Sequence, residues 1–240
     1  MVALVSALAV GVVGCASEAT TESGEPFVEA PRPTIGLGSD VGSISGGADL
    51  RAVDVGEVRS VVMIGDSITV GATPYLEEQL DGLGFDEVVI NAMVGKRMDV
   101  SSGSNAAGSD VAAFIAGALD DADDAGDETL WIVALGTNDA GQYASDDEIQ
   151  AAVDTVLEPV PVDAPVVWIN TYIEGRSDET ERVNAVIEST LERRGNATIG
   201  RWDDVAPVDG VLSRDGVHPN VDGSKVFAEL VVATVQNFLQ

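Results

Sequence analysis

Beyond about residue 57 the chain alternates short apolar runs with longer stretches in which apolar residues recur every three or four positions. Val61–Ile64, Glu87–Asn91, Thr129–Leu135, Pro165–Asn170 and Ala197–Trp202 have the length of buried strands, and turn-forming residues bound them. Between them, Val111, Phe114, Ile115, Ala118 and Leu119 share one helical face, as do Ile149, Ala152, Val153, Val156 and Leu157. Ser145 and Glu148 stand at capping-box spacing ahead of the second set. Val183, Val186, Ile187 and Leu191 form a further amphipathic face, and about Gly223 to Phe238 reads as a terminal helix. After the first strand, Thr73-Pro74 offers a cap and a proline at the first helical position, which predicts a helix through about Leu80. Strand and helix in alternation imply parallel strands covered on both faces. The expected fold is a three-layer α/β/α sandwich around a mostly parallel five-stranded sheet, flavodoxin-like, over residues 57–240.

Upstream the pattern changes twice. Val2 to Val13 is an apolar run too short to span a bilayer but matched to the core of a secretory signal. Its end, Val12-Val13-Gly14-Cys15, resembles a bacterial lipoprotein processing site, although no Lys or Arg precedes Cys15. Residues 1–14 are therefore expected to be a signal peptide and Cys15 the lipid attachment point. From Ala16 to about Gly56, Ser, Thr, Glu, Pro and Gly dominate, with too few large apolar residues to offset the entropy of ordering; residues 15–56 read as a flexible tether. The expected location is extracytoplasmic, either anchored to a bacterial cell membrane through lipid alone or secreted.

Composition narrows the partners. With 41 acidic and 12 basic residues the formal net charge is −29, which excludes nucleic acid and leaves no basic stripe for a membrane surface. A single cysteine rules out an internal disulfide framework, and a single histidine argues against a His-rich zinc site. Asp120-Asp121-Ala122-Asp123-Asp124-Ala125-Gly126 has the flavour of a calcium loop but lacks its fifth and closing ligands, and reads as a solvated connector. No metal and no cofactor are expected, and the protein is expected to be a monomer.

The first strand runs into Gly65-Asp66-Ser67. A serine at a strand's carboxyl end faces the crevice where ligands collect in open α/β sheets; the same three residues could equally form a simple turn. Far downstream, Ser213-Arg214-Asp215-Gly216-Val217-His218-Pro219 carries the sole histidine three residues from an aspartate, and Gly216 and Pro219 place both on a loop. A hydrolytic triad needs a hydroxyl nucleophile, an imidazole and a carboxylate, and Ser67, His218 and Asp215 supply one of each. The Gly-x-Ser-x-Gly elbow of the α/β-hydrolases is absent.

Gly65-Asp66-Ser67, Gly95 after Asn91-Ala92-Met93-Val94, Gly136-Thr137-Asn138-Asp139, and Asp215-Gly216-Val217-His218-Pro219 occur in this order and resemble the four blocks of the SGNH (GDSL-type) serine hydrolases. The resemblance implies the SGNH hydrolase fold, with Ser67 as nucleophile, His218 as general base and Asp215 as its orienting carboxylate. It also implies an oxyanion hole made by the backbone N–H groups of Ser67 and Gly95 and the side-chain amide of Asn138. On the residues alone, Asn138 could instead cap the turn after the third strand, and Asp139 could be a helix-start or turn residue. Ile169-Asn170-Thr171, Arg182-Val183-Asn184 and Arg201-Trp202-Asp203 more loosely resemble segments of SGNH domains that accompany membrane acyltransferases modifying cell-wall glycans. Lys96 and Arg97 could receive an anionic substrate or simply be solvated.

The expected function is hydrolysis of a small acyl ester through an acyl-serine intermediate, on a small-molecule or glycan substrate. An imidazole base implies activity that falls with acidification through the usual imidazole range, about pH 6–7. The alternatives are an O-acyltransferase or O-deacetylase acting on a cell-envelope glycan and, from a different class, a non-catalytic carbohydrate-binding surface lipoprotein.

Overall fold

The computed structural model describes residues 58–121 and 128–240. The leader, Cys15, the tether and residues 122–127 of the acidic connector lie outside the described residues.

Five strands form one sheet: β1 (Ser60–Gly65), β2 (Glu87–Ala92), β3 (Thr129–Ala134), β4 (Val166–Ile169) and β5 (Ala197–Gly200). They lie in the order β2-β1-β3-β4-β5 with every pairing parallel, so the sheet is wholly parallel. Among the described residues six helices accompany it: α1 (Ser67–Asp81), α2 (Gly108–Asp121), α3 (Asp146–Leu157), α4 (Ser177–Arg194), the short α5 (Trp202–Val205) and α6 (Val221–Phe238).

Alternation along the central strands separates two cores. Val62 and Ile64 of β1, Trp131 and Val133 of β3, and Val166 and Trp168 of β4 pack with residues of α2, α3 and α4. Their neighbours Val61, Met63, Leu130, Ile132, Val167 and Ile169 face the other way, toward α1 and α6. Strands buried on both faces need nearly continuous apolar side chains, as β4 shows throughout and β3 after Thr129. Edge strand β2 alternates between half-buried and exposed positions.

Two element boundaries differ from the sequence expectation. Helix α1 begins at Ser67, not at Thr73, because Asp66 caps it by accepting the Ile68 N–H at 2.9 Å. Pro74 sits inside this helix on its exposed side, where the carbonyl deprived of a partner can meet water. The fifth strand ends at Gly200, two residues before Trp202, where α5 starts. There the Asp203 N–H turns to the Asn170 side-chain oxygen at 3.0 Å and leaves the sheet direction. The first half of the capping box is present, the Ser145 side chain accepting the Glu148 N–H, while the Glu148 carboxylate reaches one residue further back and accepts the N–H of Ala144.

The strand order reverses between β1 and β3, since the chain moves outward from β1 to β2 and then returns to the far side of β1. In open α/β sheets the crevice at this reversal, beyond the carboxyl ends of the strands, is where ligands bind. Register brings the residues of interest to that edge. Gly65 pairs with Ala92 on one side and Ala134 on the other, so Ser67, Gly95 and Asn138 leave three neighbouring strands within a few residues of a common line.

Candidate active site

Ser67 is the first residue of α1, where backbone N–H groups have no acceptor within the helix. Gly65 makes the tight strand-to-helix passage possible: a Cβ there would lie 2.1 Å from Thr69 Oγ1, a contact no side chain tolerates. Ser67 Oγ lies 2.9 Å from His218 Nε2, and His218 Nδ1 lies 2.8 Å from Asp215 Oδ2. The other oxygen of Asp215 accepts the N–H groups of Val217 and His218, each at 3.0 Å. The Val217 N–H, then the imidazole and the His218 N–H, hold the Asp215 carboxyl down at about 2, so it stays ionised through the neutral range. The loop that carries the pair is closed by the Ser213 N–H donating to His218 O at 2.7 Å and turns through Gly216 at φ 70°.

Gly95 occupies the third position of a turn in which Lys96 N–H donates to Met93 O at 3.2 Å, with φ of 75°. A Cβ at Gly95 would meet only Asn105 Nδ2, at an ordinary contact distance of 3.8 Å, so its glycine is required by the left-handed backbone and not by crowding. Met93 N–H donates to Gly65 O at 3.1 Å, which fastens this turn to the end of β1. Asn138 Nδ2 donates to Lys96 O at 3.0 Å and to Asp66 Oδ2 at 3.3 Å. The amide therefore does more than cap the turn after β3: it ties the blocks around Gly65, Gly95 and Gly136 into one unit.

The residues flanking these blocks are placed otherwise than their sequence context suggests. Lys96 is only 1% exposed, donates to Asn91 Oδ1 at 3.2 Å and to Ala106 O at 3.4 Å, and has its pKa lowered by burial. Arg97 pairs with Asp139 at 3.0 Å and lies over the Tyr143 ring. Neither cation is poised for an anionic substrate, and Lys96 is not solvated. Asp139 is fully buried, so it is no mere turn residue. It accepts from Arg97 Nε, the Met98 N–H and the Tyr143 hydroxyl, and so anchors the chain that follows Gly95. Burial pushes its pKa up, against the pull of Arg97 and Tyr143. The sequence gives no local sign of this, because Arg97 and Met98 lie about 40 residues upstream, on another strand's loop.

Asp66 is the other residue whose part exceeds its sequence reading. It is buried, caps α1 and holds Asn138. An aspartate directly before a helix is the signal that could have shown its capping role, but Thr73-Pro74 offers a competing start. Burial raises its pKa from 3.8 to about 6, while the Ile68 N–H and the Thr137 hydroxyl act in the opposite direction. The folded state thus holds this proton more tightly than the unfolded chain. The associated stability is fully present below about pH 4 and is lost as the pH rises through about 6. Asp66→Asn keeps a capping oxygen and removes the titration. We expect the variant to gain on the wild type between pH 4 and pH 8 by up to about 3 kcal/mol, read from urea unfolding at both pH values. A stability difference independent of pH would contradict this account.

Behind the site, the three segments with looser family likeness meet in one hydrogen-bonded network, buried at Asn170, Thr171 and Asn184 and half-buried at Asp203. Asn184 accepts the Thr171 N–H at 3.0 Å and donates to Thr171 O at 2.8 Å and to Asp203 Oδ2 at 3.5 Å. Asn170 accepts from Asp203 N–H, and Thr171 Oγ1 lies 2.7 Å from Thr137 Oγ1 in the third block. Among the described residues, no group of three or more His, Cys, Asp or Glu is arranged to hold a metal ion.

A parallel sheet in the order 2-1-3-4-5 with a Ser–His–Asp chain at its carboxyl edge is the arrangement of the SGNH hydrolases. The family model for GDSL-like lipases and acylhydrolases matches residues 63–226, and the chain belongs to that family of ester hydrolases. Solved structures share the fold at low sequence identity. One is the C-terminal catalytic domain of peptidoglycan O-acetyltransferase A of Streptococcus pneumoniae, 18% identical, with 76% of this chain and 96% of that one covered at a TM-score of 0.55. Another is the psychrotrophic esterase EstA from Pseudoalteromonas sp., 12% identical over 75% and 98% of the two chains, with a TM-score of 0.57. A family 3 carbohydrate esterase from Clostridium thermocellum is 15% identical over 75% and 96%, with a TM-score of 0.54. No curated protein matches the chain in sequence.

Proposed function

We propose that this chain is an exported serine esterase that removes a small acyl group from a carboxylic ester. The observation that carries the reading is the continuous hydrogen-bonded chain from Ser67 Oγ through His218 to Asp215. Ser67 Oγ attacks the ester carbonyl as His218 Nε2 takes its proton, and Asp215 holds the imidazole by Nδ1 and stabilises its cationic form. The oxyanion of the tetrahedral intermediate is received by the N–H groups of Ser67 and Gly95 and by Asn138 Nδ2. His218 then gives its proton to the leaving alcohol, and a water activated by the same imidazole releases the acyl group from Ser67. Each of these roles is available from backbone and side chains alone and calls on no cofactor.

A second reading keeps the acyl-enzyme and replaces water by a sugar hydroxyl of an envelope glycan. What favours it is the hydrogen-bonded joining of Asn170-Thr171, Asn184 and Asp203, the segments whose likeness is to glycan-modifying acyltransferase domains. Export, and lipid attachment at Cys15, rest on the sequence of residues 2–15. Incubation of the enzyme with acetyl ester donor and glycan oligomer separates the readings: hydrolysis is expected to exceed transfer, and excess acetylated glycan would establish the second. Inertness toward a panel of short to long acyl esters and acetylated glycans would overturn both.

A further inference from the structure

On the side of the sheet that carries α1 and α6 lies a small, partly open cavity of about 10 Å³ bounded by Asp66, Thr137, Asn170 and Trp202, with Ile68 and Phe227 among its apolar walls. Its size is at the threshold, about 10–15 Å³, for holding a single water molecule. Its polar lining is unbalanced. Asn170 Nδ2 and Trp202 Nε1 are buried donors with no partner in the protein, and each leaves a hydrogen bond unmade at a cost unless something accepts it. The Asn170 amide cannot escape by turning over, because its oxygen is committed to the Asp203 N–H at 3.0 Å. The same lining holds acceptors. Asp66 is a buried carboxyl whose pKa is raised by burial, and Thr137 Oγ1 is shared with Thr171 at 2.7 Å.

We propose that this cavity is a built site for one internal water, which accepts from Asn170 Nδ2 and Trp202 Nε1 and donates to Asp66 and Thr137. Two donors and two acceptors around one cavity match the hydrogen-bonding capacity of a single water. The consequence for catalysis runs through Asp66. That residue accepts from Asn138 Nδ2, so a water that fixes the carboxyl also fixes the pose of the amide assigned to the oxyanion hole. Asn170 and Trp202 are then positioning residues, and the Asn170, Thr171 and Asp203 cluster reaches the reacting centre by this route. The kinetic part of the inference rests on the esterase reading above; the water site itself does not.

The test combines diffraction with a double-mutant cycle. A crystal structure of the protein is expected to show an ordered water within hydrogen-bond distance of Asn170 Nδ2, Trp202 Nε1 and Asp66. Trp202→Phe keeps an aromatic ring and deletes the N–H. Measured per serine titrated with a fluorophosphonate, so that unfolded molecules do not count, kcat is expected to fall about 3- to 10-fold with KM unchanged. The same substitution in an Asp66→Asn background is expected to cost much less, since the effect passes through the carboxylate. A merely packing role would give equal penalties in the two backgrounds, and that result would overturn the positioning role. A dry cavity in the wild-type crystal would overturn the water site whether or not the variants fold. A wild type that turns over no ester fails the esterase reading and leaves the diffraction result to decide the water.

Discussion

Ser67→Ala is expected to lower turnover of short-chain nitrophenyl esters by about 10⁴-fold or more, while leaving the fold intact. Loss of the nucleophile from a triad that acts as a unit removes nearly all covalent catalysis, and only transition-state binding remains. The fold should survive because the serine hydroxyl supports nothing but the site. Its hydrogen bond is to His218 Nε2, whereas α1 is capped by Asp66. Thermal unfolding should therefore be superimposable on that of the wild type, and fluorophosphonate labelling should vanish. Turnover retained at even a tenth of the wild-type rate would remove Ser67 from the mechanism.

Asn138→Ala is expected to cost about 10²- to 10³-fold in kcat with little change in KM, the magnitude associated with losing one oxyanion donor. The structure gives a reason why the loss should appear in kcat. Both hydrogens of the amide are engaged, one to Lys96 O at 3.0 Å and the other to Asp66 Oδ2 at 3.3 Å. The hydrogen of the longer bond can be shared with the developing oxyanion while Asp66 still holds the amide in place, so the new interaction strengthens as charge forms on the substrate oxygen. An interaction made only in the transition state lowers kcat and kcat/KM together when removed. A defect confined to KM would mean that Asn138 serves substrate binding or the turn and not the oxyanion.

Much of this site could be read from the chain before any coordinates. Ser67, Asp215 and His218 were legible because their residue types are chemically distinctive in context. The protein has one histidine, it stands beside an aspartate on a loop that Gly216 and Pro219 keep from being helical, and a serine ends the first apolar run. Asn138 and Gly95 were legible only through family order, since an asparagine after a strand and a glycine in a turn each have several commonplace uses. Lys96, Arg97 and Asp139 were misplaced by sequence reasoning for a common cause. A charged residue in a loop is ordinarily solvated, and nothing local shows that Asp139 will meet Arg97 and Met98 beneath the surface or that Lys96 will end against Asn91.

The start of α1 shows the same division in one element. Thr73-Pro74 is a sound local signal for a helix start, and Asp66 is another seven residues earlier; propensity alone does not rank them. The tertiary structure selects Asp66. Beginning the helix at Ser67 puts Ile68, Ala72, Leu76 and Leu80 on the buried face of α1, and Pro74 falls on the exposed side.

The sequence by itself determined the strand and helix order, the parallel sheet that follows from it, and the identity of the three groups joined from Ser67 to Asp215. These depend on periodicity and on residue chemistry, both of which are local properties of the chain. Only the tertiary structure decided which polar groups lose their water. Burial turned Asp139 into an anchor, raised the proton affinity of Asp66, and left Asn170 and Trp202 facing a common cavity, because desolvation and the partners that offset it come from segments far apart in sequence.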